Sequence, residues 1–235
     1  MPNLLSGRMA GIGERAPLDA LAERIESCRA CPRLVDWREL VARERRAAYR
    51  EETYWGRPVS GFGDPAARIV VLGLAPAAHG ANRTGRVFTG DRSGDWLFAA
   101  MHRAGLANQA QSTGRDDGLE LTGAWVTAAV RCAPPENKPA VDERDRCAPF
   151  LTEELALLGD CREVVCLGGI GFQAACRHYD VRPRPRFGHG VEYRVDGGPV
   201  LLGSFHPSQQ NTFTGRLTES MLDDVFTRAV ELARG

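Results

Sequence analysis

Residues 68–91 read RIVVLGLAPAAHGANRTGRVFTGD, a short aliphatic run that opens into a long polar loop. Ile69, Val70, Val71 and Leu72 are apolar without alternation, and the run is too short for a helix. A continuous apolar stretch of this length, closed by glycine, suits a strand buried on both faces, as in parallel sheets.

Outward from this stretch the pattern repeats. Ala124–Val130 (AWVTAAV), Glu163–Leu167 and Val200–Phe205 read as further strands. Helices are expected over Ser93–Met101 with Ser93 as the N-cap, Asp142–Leu158 with a kink at Pro149, Gly171–His178 and Gly215–Ala233. Leu18–Cys28 and Leu34–Ala48 carry apolar residues at helical spacing, so two helices open the chain. Strands alternating with helices predict a three-layer α/β/α fold around a central, mainly parallel sheet of about four strands. The expected organisation is a single domain over residues 18–235, preceded by a possible disordered arm at 1–17, with Met9 as an alternative start.

The 235 residues, 43% hydrophobic and 26% charged, are enough for one full-sized core and exclude disorder, collagen and coiled coil. No apolar run approaches the ~20 residues needed to cross a bilayer. Residues 1–19 hold no segment of secretory type, so a cytoplasmic protein without membrane association is expected. Thirty basic residues balance thirty acidic ones, so a polyanion must be met by local patches. Arg33–Arg50 and Arg177–Arg194 are two basic clusters that read either as such patches or as solvated faces. Lys138 is the single lysine, in the loop RCAPPENKP.

In an open parallel sheet ligands bind beyond the carboxyl ends of the strands. The segments that follow the four strands are APAAHGANRTGRVFTGD, RCAPPENKP, GGIG and HPSQQNTFTGR. They hold Asn82, Asn137 and Asn211 together with His79 and His206, a concentration of polar groups that marks a site. None matches a dinucleotide or phosphate-binding loop, so no nucleotide cofactor is expected. A nucleophile elbow G-x-S-x-G is absent, and no histidine begins the H-x-E of a zinc deaminase.

Seven cysteines are an odd number in a chain with no secretion signal, which speaks against a disulfide framework. Cys28 and Cys31 form one C-x-x-C, but Cys132 and Cys147 do not form a second, so a zinc ribbon fits poorly. Four thiolates without histidine suit an iron-sulfur cluster. Cys161, Cys166 and Cys176 lie in apolar segments and read as inert buried thiols.

The motifs GLAPAAHGANRTGRVFTGDRSG, RCAPPENKP and SFHPSQQNTFTGRLT, in this order after an early C-x-x-C, closely resemble the uracil-DNA glycosylase superfamily, and within it the B-type, or fifth, family. The resemblance runs from about Cys28 to the last helix. It implies a monofunctional DNA repair glycosylase without lyase activity. Such an enzyme flips uracil, and other deaminated or adducted bases such as hypoxanthine and ethenocytosine, out of double-stranded DNA. Hydrolysis of the N-glycosidic bond then leaves an abasic site. A monomer of bacterial or archaeal type, nucleoid-associated in the cytoplasm, is implied as well.

By the same resemblance Asp91 positions the attacking water, Asn137 reads the base edge, and His206 donates to a base carbonyl as charge develops there. Phe88 stacks on the extruded base, while Ala75, His79 and Asn82 complete the pocket. Arg83, Arg86, Asn211 and Arg216 are implied as DNA contacts, with Phe213 or Leu217 as the residue that wedges into the duplex. Cys28, Cys31, Cys132 and Cys147 are implied to hold a structural 4Fe-4S cluster. Where other branches of the superfamily carry a polar residue in the first motif, this chain has Ala75, Ala77 and Ala78, which predicts a permissive pocket. The alternative is a non-enzymatic iron-sulfur DNA-binding or redox protein on the same fold. Such a protein would have no use for Asp91, Asn137 and His206 on three loops.

Overall fold

A computed structural model describes residues 12–234. Residues 1–11 of the expected arm lie outside the described residues, and from Ile12 the chain is already helical. Helix α1 covers Ile12–Glu26 with Pro17 inside it. The helix begins within the segment read as an arm, and a proline this close to the open end of a helix removes only one hydrogen bond of the first turns. Helix α2 covers Pro32–Glu44, started by a proline whose missing amide has no helical partner to lose.

The elements that follow are β1 (Phe62–Gly63), β2 (Ile69–Gly73), α3 (Ala81–Thr84), α4 (Arg92–Arg103), β3 (Ala124–Ala128), α5 (Val141–Leu157), β4 (Glu163–Leu167), α6 (Gly169–His178), β5 (Glu192–Arg194), β6 (Val200–Ser204), α7 (Gln209–Phe213) and α8 (Glu219–Arg234). The sheet has the order β1-β3-β2-β4-β6-β5. Its four central strands are parallel, in the register Val71↔Val126, Val71↔Val165 and Val165↔Leu202. The expected four strands are thus its centre, and β1 and β5 add an antiparallel edge on each side. Helix α5 runs through Pro149. The helix expected over Gly215–Ala233 starts only at Glu219, because Gly215 takes a left-handed backbone (φ 70°) between it and the short α7 that precedes it.

Each central strand is buried along its whole length, and alternate residues serve opposite faces. Ile69, Val71, Val126, Val165 and Leu202 pack with Leu97, Phe98 and Met101 of α4 and with Leu222, Val225 and Phe226 of α8. Val70, Leu72, Val164, Cys166 and Leu201 pack with Leu151 and Leu155 of α5 and with Phe172 and Ala175 of α6. Each such side chain contributes ~1.5–3 kcal/mol on burial. Consecutive strands β2, β3 and β4 place β3 and β4 on opposite sides of β2, so the loops part at the carboxyl end of β2 and leave a crevice there.

The carboxyl end of β3 is held to α5 by charge. Arg131 and Glu154 are 1% and 2% exposed and pair at 2.6 Å, and Thr127 Oγ1 donates to the same carboxylate at 2.6 Å. Removing one partner strands the other without water, whereas replacing both does not. Glu154→Ala should lower unfolding free energy by ~3–5 kcal/mol in urea titration, and Arg131→Met combined with Glu154→Leu should recover most of it. A loss below ~1 kcal/mol for Glu154→Ala would contradict the role of this pair.

Candidate functional site

A cleft of about 710 Å³ opens at the carboxyl edge of the sheet, where the loops after β2, β3 and β6 meet. Ala75, Ala77, Ala78 and His79 come from the first loop, Phe88 and Asp91 from its continuation, Asn137 from the second and His206 from the third.

Asp91 is the N-cap of α4, and its Oδ1 accepts from Gly94 N at 3.0 Å. Ser93, expected as the cap, lies two residues further on, inside the first turn. Capping and lining the cleft are compatible, because the other carboxylate oxygen lies against Gly80. A Cβ at position 80 would sit 2.1 Å from Asp91 Oδ2, so only glycine admits the carboxylate there. Burial pushes the Asp91 pKa up, while the Gly94 and Ser93 amides and Arg83 pull it down and Asp95 pushes it up.

Phe88 has a left-handed backbone (φ 54°), a strained state for a bulky residue. Its ring lies on the end of β2, where a Cβ at Gly73 would come within 2.6 Å of it. The ring centroid of His206 is 5.7 Å from that of Phe88, at an interplanar angle of 33°. Desolvation lowers the His206 pKa to about 4, so its imidazole is neutral at physiological pH. Asn137 is exposed on the cleft, and it and Glu136 are both left-handed (φ 57° and 54°), which turns the loop after β3 back over the opening. The Nδ1 of His79 is bonded to Tyr54 OH at 3.0 Å.

Three expected contacts, Asn82, Arg83 and Arg86, are corrected, and a fourth, Asn211, also serves the fold. Asn82 is 0% exposed, and its Nδ2 donates to the carbonyls of Arg38 (3.2 Å) and Ala78 (3.4 Å), so it braces the cleft from behind. Asn211 is half-buried, and its Nδ2 donates to the His206 carbonyl at 2.8 Å, which fixes that residue's backbone. Arg86 is buried, paired with Asp117 at 2.6 Å and bonded to Ser112 Oγ at 2.7 Å. Burial alone would raise the Asp117 pKa, but Arg86 and two backbone amides bring it to about 2. Arg83 is likewise buried, against Glu52. Both guanidiniums are engaged by carboxylates within the fold.

Of the expected cations Arg216 is exposed at this edge, and Arg46 and Arg92 join it. Arg46 and Arg92 line the cleft, and Arg216 lies over the Phe205 ring at 4.6 Å. Arg46 follows α2 and belongs to the basic cluster Arg33–Arg50, and Arg92 follows Asp91 in the first motif; neither is among the DNA contacts implied by the resemblance. Of the two wedge candidates, Leu217 is 0% exposed, whereas Phe213 is 68% exposed and carries the Arg92 guanidinium 4.5 Å from its ring centre.

Cys28, Cys31, Cys132 and Cys147 line one small cavity of about 20 Å³, walled by Leu34, Val130 and Phe150. Arg38 Nη1 donates to Cys132 Sγ at 2.9 Å, and Arg131 N to Cys147 Sγ at 3.3 Å. With desolvation as the main cause, the Cys132 and Cys147 thiols are pushed up to about 12 and about 11. Among the described residues no three His, Cys, Asp or Glu side chains are arranged to hold a single metal ion. Cys166 and Cys176 are buried in the apolar core, with Cys161 packed against it.

The family described as the Uracil DNA glycosylase superfamily matches residues 60–230. The chain is 55% identical over 226 residues to the Type-5 uracil-DNA glycosylase of Mycobacterium tuberculosis (strain CDC 1551 / Oshkosh), covering 95% of this chain and 83% of that protein. The enzyme of the same name from Thermus thermophilus is 50% identical over 92% of this chain and 98% of its own length. The one from Pyrobaculum aerophilum is 44% identical over 90% and 91%. Likeness of this extent reaches from the N-terminal helices through all three loops of the cleft, and the chain belongs to the uracil-DNA glycosylase superfamily.

Proposed function

We propose that the protein excises uracil, and other deaminated or adducted bases such as hypoxanthine and ethenocytosine, from double-stranded DNA. The observation that carries this reading is the meeting of Asp91, Asn137 and His206 with the Phe88 ring in one cleft. A base turned out of the stack stacks on Phe88 while Asn137 hydrogen-bonds its edge. The C1′–N bond breaks with its electron pair going to the base, whose developing oxyanion accepts a hydrogen bond from neutral His206. Asp91 opposes the positive charge left on the sugar and orients a water, whose oxygen bonds to C1′ and whose proton leaves to the carboxylate or to solvent. Free base and an abasic site result.

The wall formed by Ala75, Ala77 and Ala78 has no side chain to exclude a purine, which supports a broad base range. Arg46, Arg92 and Arg216 are the cations placed to meet phosphates, and Phe213 is the apolar tip able to fill the gap a flipped base leaves. Action as a monomer is part of the same proposal. Among the described residues no helix is long and apolar enough to cross a membrane.

For the four cysteines the proposal is a 4Fe-4S cluster held by Cys28, Cys31, Cys132 and Cys147. The donor set fits: four soft sulfur ligands around one cavity, with N–H donors from Arg38 and Arg131 on two of them. Bound there, the cluster would supply cross-linking between the N-terminal helices and the sheet, since base hydrolysis moves no electrons.

Asp91→Asn should slow single-turnover release of uracil from a duplex by about 10²–10⁴-fold with lesion binding retained; a full-rate variant would contradict the assignment. In the pH profile of the wild-type rate, the acid limb should lie above the ordinary aspartate value of 3.8, because the active carboxylate is lost as pH falls through a raised pKa. No descending limb near the ordinary histidine value of 6.5 should follow, because His206 is already neutral there; such a limb would mean that the imidazolium is the active form. Purified protein should be brown and contain iron and sulfide, and Cys132→Ser should bleach it. A colourless protein holding zinc would overturn the cluster.

A further inference from the structure

We infer that Arg83 is a positioning residue for Asp91, clamping together the two stretches of loop between which that carboxylate sits. The inference rests on the reading of Asp91 as the catalytic carboxylate. One face of Asp91 lies on Gly80 and its backbone follows Gly90. Arg83 holds both stretches: Nε donates to the His79 carbonyl at 2.9 Å, and Nη2 to the Gly90 carbonyl at 2.8 Å. A Cβ at Gly90 would come within 2.5 Å of Nη2, so the guanidinium is packed directly on the residue that precedes Asp91.

The third arm of the fork, Nη1, is bonded to Glu52, and the Tyr49 ring covers the guanidinium with its centre 4.0 Å away. Glu52 and Tyr49 come from the segment between α2 and β1, which no motif marked. The planar fork is needed in this place: three acceptors from three directions are met by one rigid group, which an ammonium on a flexible stem cannot do. Arg83 therefore sets the width between Gly80 and Gly90, and with it the place of the carboxylate relative to His206 and the bound sugar. It is also a fixed cation near Asp91 that favours the ionised form. The other charged or titratable groups around Asp91 are Asp95 and Arg92 on its own helix, His79 on the first loop and His206 on the last, with Arg46 and Glu136 at the exposed rim.

The test is single-turnover excision of uracil from a duplex across pH, with duplex affinity and its salt dependence measured beside it, for Arg83→Lys, Arg83→Gln, Glu52→Gln and Asp91→Asn. Arg83→Lys keeps the charge and loses the fork, so the rate should fall by about 10- to 100-fold with affinity and acid limb little changed. Arg83→Gln loses the charge as well, and its acid limb should move to higher pH. Glu52→Gln alters only the half-exposed partner, and it carries the test if the Arg83 variants fail to fold. Its rate should fall severalfold with the wild-type salt slope. An inactive Asp91→Asn alongside Arg83 and Glu52 variants with wild-type rate and acid limb would overturn the clamp alone. Arg83 variants that lose affinity and flatten the salt slope at an unchanged rate would make Arg83 a phosphate contact instead, which also overturns it. A fully active Asp91→Asn would remove the underlying reading of Asp91.

Discussion

A carboxylate kept largely out of water at the head of a helix constrains almost everything else in this cleft. Desolvation pushes Asp91 towards its neutral form, and the amides of Ser93 and Gly94 with the Arg83 cation work against it. The carboxylate fits only because position 80 is glycine, and the ring beside it fits only because position 73 is glycine. Phe88, Glu136 and Asn137 all hold left-handed backbones at this edge, a strain of ~1–3 kcal/mol each that persists only where the surroundings leave no alternative. Those surroundings are the four parallel strands, buried on both faces, from whose carboxyl ends the loops emerge.

The cleft and the cysteine cavity are neighbours with shared walls. Ala75 lines the cleft and also packs on the cluster formed by Leu34, Val130 and Cys147. Behind it runs a polar connection. Arg38 touches Cys132 Sγ and the Cys28 carbonyl, Asn82 donates to the Arg38 carbonyl, and the same amide donates to Ala78 in the wall of the cleft. The N-terminal helices therefore act on the first loop through buried hydrogen bonds, which in a low-dielectric interior are expensive to leave unmade.

What could be read beforehand follows from these physical causes. The central strands announce themselves because burial on both faces leaves no polar residue to interrupt them. Strands β1 and β5 do not: one has two residues, and the other, Glu192–Arg194, is exposed at the sheet edge. Asn137 and His206 were legible as polar groups in the loops after strands, whereas the cap of α4 was expected at Ser93 and is Asp91, because an acid and a serine two residues apart are both good caps. Arg83 and Arg86 read as surface cations because a glycine-rich loop with arginines looks solvated. Their burial depends on Glu52 and Asp117, each thirty-one positions away in sequence, and only the folded chain brings these together. Asn82 misled for the same reason, since its buried amide is spent on backbone carbonyls.

The central claim is that one cleft, with Asp91 on one side and His206 on the other, receives the base. A crystal structure of the Asp91→Asn variant bound to a duplex containing uracil tests it most directly. The account requires the base lying on the Phe88 ring, its edge on Asn137, a carbonyl oxygen within hydrogen-bond reach of the His206 imidazole, and Phe213 at the vacated place in the stack. A base seated in the separate cleft lined by Arg115, Leu119 and Phe62, or left stacked with His206 facing solvent, would contradict it.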